Sequence, residues 1–333
     1  MKAVIMEPDR SVHLVQRPRP VPGDDQVLIK VAACGICGSD LHVHNGMPST
    51  WAFPMIVGHE LSGTIVECGK KVHTLSVGQN VTIQPLVSCG KCELCMEGRT
   101  NICENVQLIG GELDGGCAEY IAVSEKNVIP LPEAMPVHHG ALAEPAACCV
   151  HAVRRLGGRH YRRAVLIGAG TIGLLTLAVV REFVDTIVVS DTMQSRLDTA
   201  LALGASHCIR ADREDTVSKA LELSGGAKYD LVIEAVGISA TREQVFKLMR
   251  PGADCLLLGW GEQYTTVDFN YLICQECAFY GSQCHTRYDF EDALRLIMNK
   301  TINYDKLVLR LPIEEAERAY DNAQAAVKIH LIP

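Results

Sequence analysis

Cys89, Cys92, Cys95 and Cys103 share one short stretch with the spacing C-x2-C-x2-C-x7-C. Thiolates this close can converge on one tetrahedral ion, and four of them make the closed site that structural zinc favours. The stretch has few large apolar residues, so a bound ion would supply the folding energy that a core supplies elsewhere. A second set of metal-type side chains lies upstream. Cys37 stands in Cys34-Gly-Ile-Cys37-Gly-Ser39-Asp40-Leu-His42, and the adjacent His59 and Glu60 follow Gly58. Three protein ligands and an open position are what a catalytic zinc requires. Glu144, in Leu142-Ala-Glu144-Pro145, is a fourth candidate, either as a direct ligand or as the partner of a zinc-bound water.

A third pattern concerns a nucleotide. Val165-Leu-Ile-Gly168-Ala-Gly170-Thr171-Ile172-Gly173 reads as G-x-G-x-x-G between an apolar strand and a helix. The first glycine allows a tight turn and the second admits a pyrophosphate. The third lets helix and strand pack closely, and the helix start at Thr171 and Ile172 attracts phosphate charge. Asp191 ends the next strand-like run, where a carboxylate binds the ribose hydroxyls of NAD and repels the additional phosphate of NADP. Arg196 is of a type that can read a 2′-phosphate, but with Asp191 in place it is expected near the adenine or in a local pair, so NAD is expected and NADP is the lesser alternative.

These residues need elements to hold them. The first third is β-rich, with strand-like runs at residues 27–32, 61–66 and 80–83 bounded by Gly, Pro and Asp. From Arg163 the texture changes. Strands at 164–167, 186–190, 230–234 and 255–258 alternate with helices, which predicts a parallel sheet covered on both faces. Amphipathic helices are expected near 290–299 and at Ile313–Ala325. The uncharged run Ala164–Val180 has membrane-like composition, but its glycine spacing and the strand that follows exclude a membrane span. At 333 residues the chain has room for about two domains, and its net charge of −8 speaks against a nucleic-acid surface. No apolar signal segment opens the chain. Fifteen cysteines therefore indicate a reducing, cytoplasmic setting. Cys34/Cys37 and Cys274/Cys277 have redox-pair spacing, though Cys37 has the better role as a ligand. Cys148 and Cys149 read as small buried hydrophobes.

Taken together, these residues resemble the zinc-dependent medium-chain alcohol dehydrogenases, in the branch of polyol (sorbitol-type) and threonine dehydrogenases. The resemblance rests on C-G-I-C-G-S-D-x-H at 34–42, G-H-E at 58–60, the four-cysteine loop, Glu144-Pro145, the glycine motif and Glu234-Ala-Val236-Gly237, in family order. It implies an α/β protein of two domains: a discontinuous GroES-like β-rich catalytic domain, 1–145 and 284–333, and a Rossmann doubly wound parallel sheet, 146–283. It makes Cys37, His59 and Glu60 the catalytic zinc ligands, with Glu144 as ligand or water partner. Asp40 becomes an orienting partner. Ser39 becomes the hydroxyl nearest the substrate alcohol, with His42 further along a proton path. Val236 and Gly237 join Gly168, Gly170, Thr171, Ile172, Gly173, Asp191 and Arg196 in contacting the cofactor. Two zincs per chain and a homotetramer or homodimer are implied as well.

The expected reaction is transfer of hydride from a secondary hydroxyl of a small polar alcohol substrate to NAD. A polyol, a sugar acid or a sugar phosphate would serve. An L-threonine 3-dehydrogenase-like enzyme and a catalytically silent dinucleotide-binding relative are the alternatives. The sequence loosens from the sorbitol-type pattern after the Rossmann segment. There the stretch corresponding to an expected Arg-Tyr pair is Gly281-Ser-Gln-Cys284-His285-Thr-Arg287-Tyr288, and a missing or displaced pair would argue against sorbitol as substrate. Arg287 is a candidate for binding a substrate carboxylate or phosphate.

Overall fold

Strand Gln26–Ile36, rich in Val, Ile and Ala, is buried along nearly its whole length. It forms the spine of a seven-stranded sheet in the computed structural model, which describes residues 1–323 and 326–333. Along that sheet run Val128–Pro130, Asn80–Ile83, Glu60–Cys68, the spine, Lys328–Ile332 and Val308–Pro312, with Tyr120–Ser124 also pairing with the spine. All these pairings are antiparallel except Val308–Pro312 with Lys328–Ile332. Register sets Gly35 opposite Glu60 on one side and opposite His330 on the other. Val27, Ile29, Leu61, Ile65, Val81, Ile121 and Leu331 fill a single core. Each such side chain stabilises the fold by about 1.5–3 kcal/mol when fully buried.

This sheet belongs to one of two compact units, Met1–Glu144 with His285–Pro333; the other is Pro145–Cys284. The second unit has six parallel strands in the order His207–Arg210, Val184–Asp191, Tyr161–Ile167, Tyr229–Glu234, Met249–Leu257 and Ala278–Gly281. Helices alternate with them, including Thr171–Val180, Gln194–Ala202 and Ser239–Leu248. Counted within the unit, the order is 3-2-1-4-5-6, the doubly wound arrangement whose switch point lies beside the first strand. The membrane-like run 164–180 divides into the end of strand Tyr161–Ile167, a glycine turn and a helix. Among the described residues no helix is long and apolar enough to cross a membrane.

Two local expectations change. The helix expected over Ile313–Ala325 is a 3-10 turn, Ile313–Glu315, followed by a short helix, Ala316–Asp321; Ala325 lies outside the described residues. Its apolar face is real, because Ile313, Ala316, Ala319 and Tyr320 join the core of the first unit. Asn322, a weak helix former, caps it early. The Cys34/Cys37 redox spacing is also not used: the Cys34 thiol meets Cys117 instead, Sγ to Sγ 3.3 Å, both fully buried.

Candidate metal centre and nucleotide site

The sulfurs of Cys89, Cys92, Cys95 and Cys103 all lie within 4.8 Å of one another. Cys89 and Cys95 are 4.0 Å apart, and Cys92 and Cys103 are 3.9 Å apart. Thiolates placed tetrahedrally around zinc are separated by about 3.8 Å, so this set fits that ion. Gly90 and Gly98, with φ of +69° and +81°, supply the sharp reversals that fold the loop onto itself. Backbone N–H groups of Cys92 and Asn105 donate to the sulfurs of Cys89 and Cys103. Hydrogen bonds from the N–H groups of Lys91 and Cys92 lower the Cys89 thiol to about 6, whereas burial and then Cys92 push the Cys95 thiol up to about 11.

The second cluster is assembled from separate strands. Cys37 caps the helix Gly38–His44, at the end of the spine strand, and His59 and Glu60 open strand Glu60–Cys68. One ligand atom from each of Cys37, His59 and Glu60 lies within 4.8 Å of the others. His59 and Glu60 are buried. Asp40 is fully buried in the first turn of that helix; its Oδ2 accepts from the Cys37 N–H at 2.8 Å. Asp40 Oδ1 sits 3.7 Å from His59 Nδ1, too far for a hydrogen bond, and neither atom has another partner. Burial raises the Asp40 carboxyl to about 6 against the pull of His59. Burial works to lower His59, but Asp40 and then Cys37 outweigh it and lift the imidazole well above its usual value. A cation on the other face of His59 would turn Nδ1–H toward Asp40, the arrangement that orients histidine ligands in zinc sites. The sulfur, nitrogen and oxygen donor set therefore suits zinc.

Glu60 has a partner that the sequence reading does not include. Lys328 Nζ donates to both Glu60 oxygens at 2.7 Å and to the Ile36 carbonyl at 2.9 Å, in a fully buried setting. Burial works against the Lys328 charge, but Glu60, and then Cys37, hold its pKa above the ordinary value. The two residues reach each other across the spine strand because residue 35 is glycine. A Cβ there would stand 2.0 Å from Glu60 Oε2. The available signal was a lysine and a histidine inside the apolar run Val327-Lys328-Ile-His330-Leu-Ile.

Ser39 and His42 lie on one face of the helix Gly38–His44, three residues apart, and both are half-buried. Burial lowers the His42 pKa, which favours its neutral, proton-accepting form. Glu144 does not join Cys37, His59 and Glu60 in one ligand cluster. Its Oε1 lies 3.1 Å from Nε2 of the buried His285. Burial raises the Glu144 carboxyl, but the His285 hydrogen bond and the His285, His59 and Lys328 charges bring it below the usual range. Arg287, a candidate anion binder, donates instead to the carbonyls of Lys126 and Val128 at 2.9 and 3.2 Å. Its guanidinium braces the backbone of its own unit.

In the second unit the three motif glycines differ as their roles require. Gly168 has φ of +96°, and a Cβ on Gly173 would meet the Gly168 carbonyl at 2.0 Å. Gly170 has nothing within 4 Å of such a Cβ, and it caps the helix Thr171–Val180, leaving room for a phosphate at a helix start. Asp191 ends its strand and accepts from the N–H groups of Ala169 and Met193 at 2.7 and 2.8 Å, which ties it to the glycine turn. Arg196 lies 3.8 Å from the Asp191 carboxylate. Glu234 folds back to accept from the N–H groups of Val236 and Gly237, fixing that turn.

Comparison with known proteins accords with both units. Residues 23–133 match the family described as alcohol dehydrogenase GroES-like domain, and residues 171–299 match the zinc-binding dehydrogenases. L-galactonate-5-dehydrogenase of Escherichia coli (strain K12) is 32% identical, over 96% of this chain and 94% of that protein. Sorbitol dehydrogenase of Halalkalibacterium halodurans is 32% identical over 100% and 99%. L-threonine 3-dehydrogenase of Thermococcus kodakarensis is 36% identical over 82% and 79%. A Sinorhizobium meliloti 1021 protein solved with NADP bound superposes with a TM-score of 0.93 at 32% identity, covering 100% of this chain and 99% of that one. The chain belongs to the zinc-type medium-chain alcohol dehydrogenase family, with a GroES-like unit and a Rossmann-type unit, and it is an oxidoreductase.

Proposed function

We infer that the protein oxidises a secondary hydroxyl of a small polar substrate (a polyol, sugar acid or sugar phosphate) and passes the hydride to NAD. The observation that carries this reading is the cluster of half-buried Cys37 with buried His59 and Glu60, backed by Asp40 and Lys328. The sugar-acid and polyol relatives support the substrate class. Cys37, His59 and Glu60 would hold one zinc, and Cys89, Cys92, Cys95 and Cys103 another. The first would supply Lewis-acid polarisation of the substrate hydroxyl, and NAD the hydride acceptor.

The rest is the work of this chain's side chains. Ser39 accepts the hydroxyl proton, and His42, kept neutral by burial, takes it onward. Asp40 would fix the tautomer and orientation of His59 once a bound cation turns Nδ1–H toward it. Lys328 pairs with the buried Glu60 carboxylate and balances its charge. Glu144 serves as a nearby acceptor. Gly168, Gly170, Thr171, Ile172 and Gly173 cradle the pyrophosphate, Val236 and Gly237 approach the cofactor, and Asp191 takes the ribose hydroxyls. The Asp191 carboxylate favours NAD over NADP, with Arg196 paired locally. Fifteen free thiols support a cytoplasmic setting. A homotetramer or homodimer is supported by the unpaired edge of strand Ala278–Gly281 and by the exposed Phe269 and Ile273 that precede it in sequence.

The second reading, L-threonine 3-dehydrogenase activity, is favoured by the 36% identity to that enzyme. Zinc-replete protein is assayed for NAD and NADP reduction over polyols, aldonates, sugar phosphates and threonine. A strong NAD-linked hit in the first three classes is expected. Turnover of threonine alone would replace the substrate class, and silence in protein that carries both zincs would remove it.

A further inference from the structure

We propose that His285 is a positioning residue that holds the Glu144 carboxylate outside the metal's ligand set, leaving Cys37, His59 and Glu60 as the complete protein ligands. The proposal rests on the metal-centre reading above and adds to it a role for a residue outside the expected motif.

The two side chains are well placed for this. Glu144 lies in the first turn of helix Ala143–Arg154 and His285 directly precedes helix Arg287–Met298. They are also the two residues at which the first unit is interrupted in sequence. Both are buried, and their Nε2 to Oε1 distance is 3.1 Å. An ionised carboxylate only accepts, so Nε2 carries the proton of this bond. Two features fix the imidazole. The next residue, Thr286, is pinned by a capping box in which its N–H and hydroxyl both donate to Asp289, at 2.7 and 2.8 Å. The ring also packs edge-on against Phe290, with centroids 4.6 Å apart. Its other nitrogen, Nδ1, is buried without a hydrogen-bond partner, so no competing bond draws the ring away from Glu144. Releasing Glu144 would leave a second buried nitrogen unpaired, which is costly.

Geometry and donor chemistry agree. Cys37, His59 and Glu60 cluster without Glu144, whose carboxylate groups with His285. Three protein ligands would leave a metal held there a position for the substrate hydroxyl, with Glu144 kept outside the ligand set as an acceptor.

Cobalt-substituted protein tests this, because its visible absorption reports ligand number and type. Subtracting the spectrum of Cys37→Ser protein isolates this centre from the four-cysteine loop. Glu144→Ala is expected to leave the difference spectrum and cobalt affinity unchanged, while lowering kcat. His285→Phe is expected to alter the spectrum and tighten metal binding about tenfold as Glu144 is freed to ligate, with kcat falling about tenfold to a hundredfold. Glu144→Ala in that background should restore the spectrum, and His285→Gln, which keeps an N–H donor, should restore both spectrum and kcat. A spectrum that changes with Glu144→Ala alone overturns the proposal and leaves the metal centre standing. So does a His285→Phe protein with unchanged spectrum and kcat. Absence of any Cys37-dependent cobalt spectrum overturns the metal-centre reading itself. Should His285→Phe fold poorly, the Glu144→Ala spectrum in the otherwise unaltered chain decides the matter.

Discussion

One continuous loop, residues 89–103, carries four thiols that face each other across about the edge of a sulfur tetrahedron. The other cluster draws Cys37, His59 and Glu60 from two strand ends, and its support comes from Lys328 in the last strand. The loop's sulfurs are half-exposed apart from the buried Cys103, and are served by neighbouring backbone N–H groups. In the assembled cluster His59 and Glu60 are buried and Cys37 is half-buried, and the charges are balanced by distant partners: Asp40 against His59 and Lys328 against Glu60. Local spacing suffices where metal binding drives folding. A site that must keep a position open cannot rely on the metal alone, so the sheet around it supplies the rigidity.

The largest expected effect follows from that division. Cys37→Ser should lower kcat about a thousandfold or more, the loss of several kcal/mol of Lewis-acid stabilisation, with little change in Tm. Cys103→Ser should lower Tm first, because it opens the closed four-sulfur site. Thermal scans with metal analysis and turnover check both, and equal Tm for Cys103→Ser and the unaltered chain would erase the distinction.

Lys328→Met comes next. It leaves Glu60 buried and uncompensated, and should cost about 3–5 kcal/mol in denaturant unfolding. Adding Glu60→Gln should recover most of that loss, and failure to recover would mean that Lys328 acts through something other than charge. In the cysteine loop the Arg99–Glu97 pair is exposed rather than buried, and Lys91→Met there should be neutral within about 0.5 kcal/mol.

For the nucleotide site, Asp191→Ala should weaken NAD binding about tenfold to a hundredfold, the worth of hydrogen bonds to a charged group, and narrow the preference over NADP. Titration with each cofactor reads this directly. An unchanged NAD/NADP ratio would remove Asp191 from that role.

The smallest effect is acid sensitivity confined to the assembled unit. His330 is fully buried, shares a hydrogen bond with the Tyr304 hydroxyl through its Nδ1 and is held well below 6.5, first by burial and then by the charges of Lys328, His138 and His139. Its folded pKa lies below the unfolded one, so the unfolded chain binds the extra proton. This contribution is therefore intact above 6.5 and is lost as pH falls below it, at about 1.4 kcal/mol per pH unit at most. Unfolding followed from about neutral to mildly acid pH should show this slope in the unaltered chain and a shallower one in His330→Asn.

Much of this was legible in the sequence. The cysteine loop, the glycine turn and the carboxylate of Asp191 are read from spacing because their geometry is set by nearly contiguous chain. The strand–helix alternation of 164–258 gave the doubly wound sheet for the same reason, since period and punctuation are local properties. Cys37, His59 and Glu60 were legible as donor types. Their meeting was not, because it depends on strand register that places Gly35 between Glu60 and the last strand. Lys328, His285 and the use of Arg287 to brace backbone carbonyls were decided only by tertiary structure. A buried charge gains its partner from whichever strand or helix packs across from it, and that neighbour can lie, as Lys328 does from Glu60, at the opposite end of the chain.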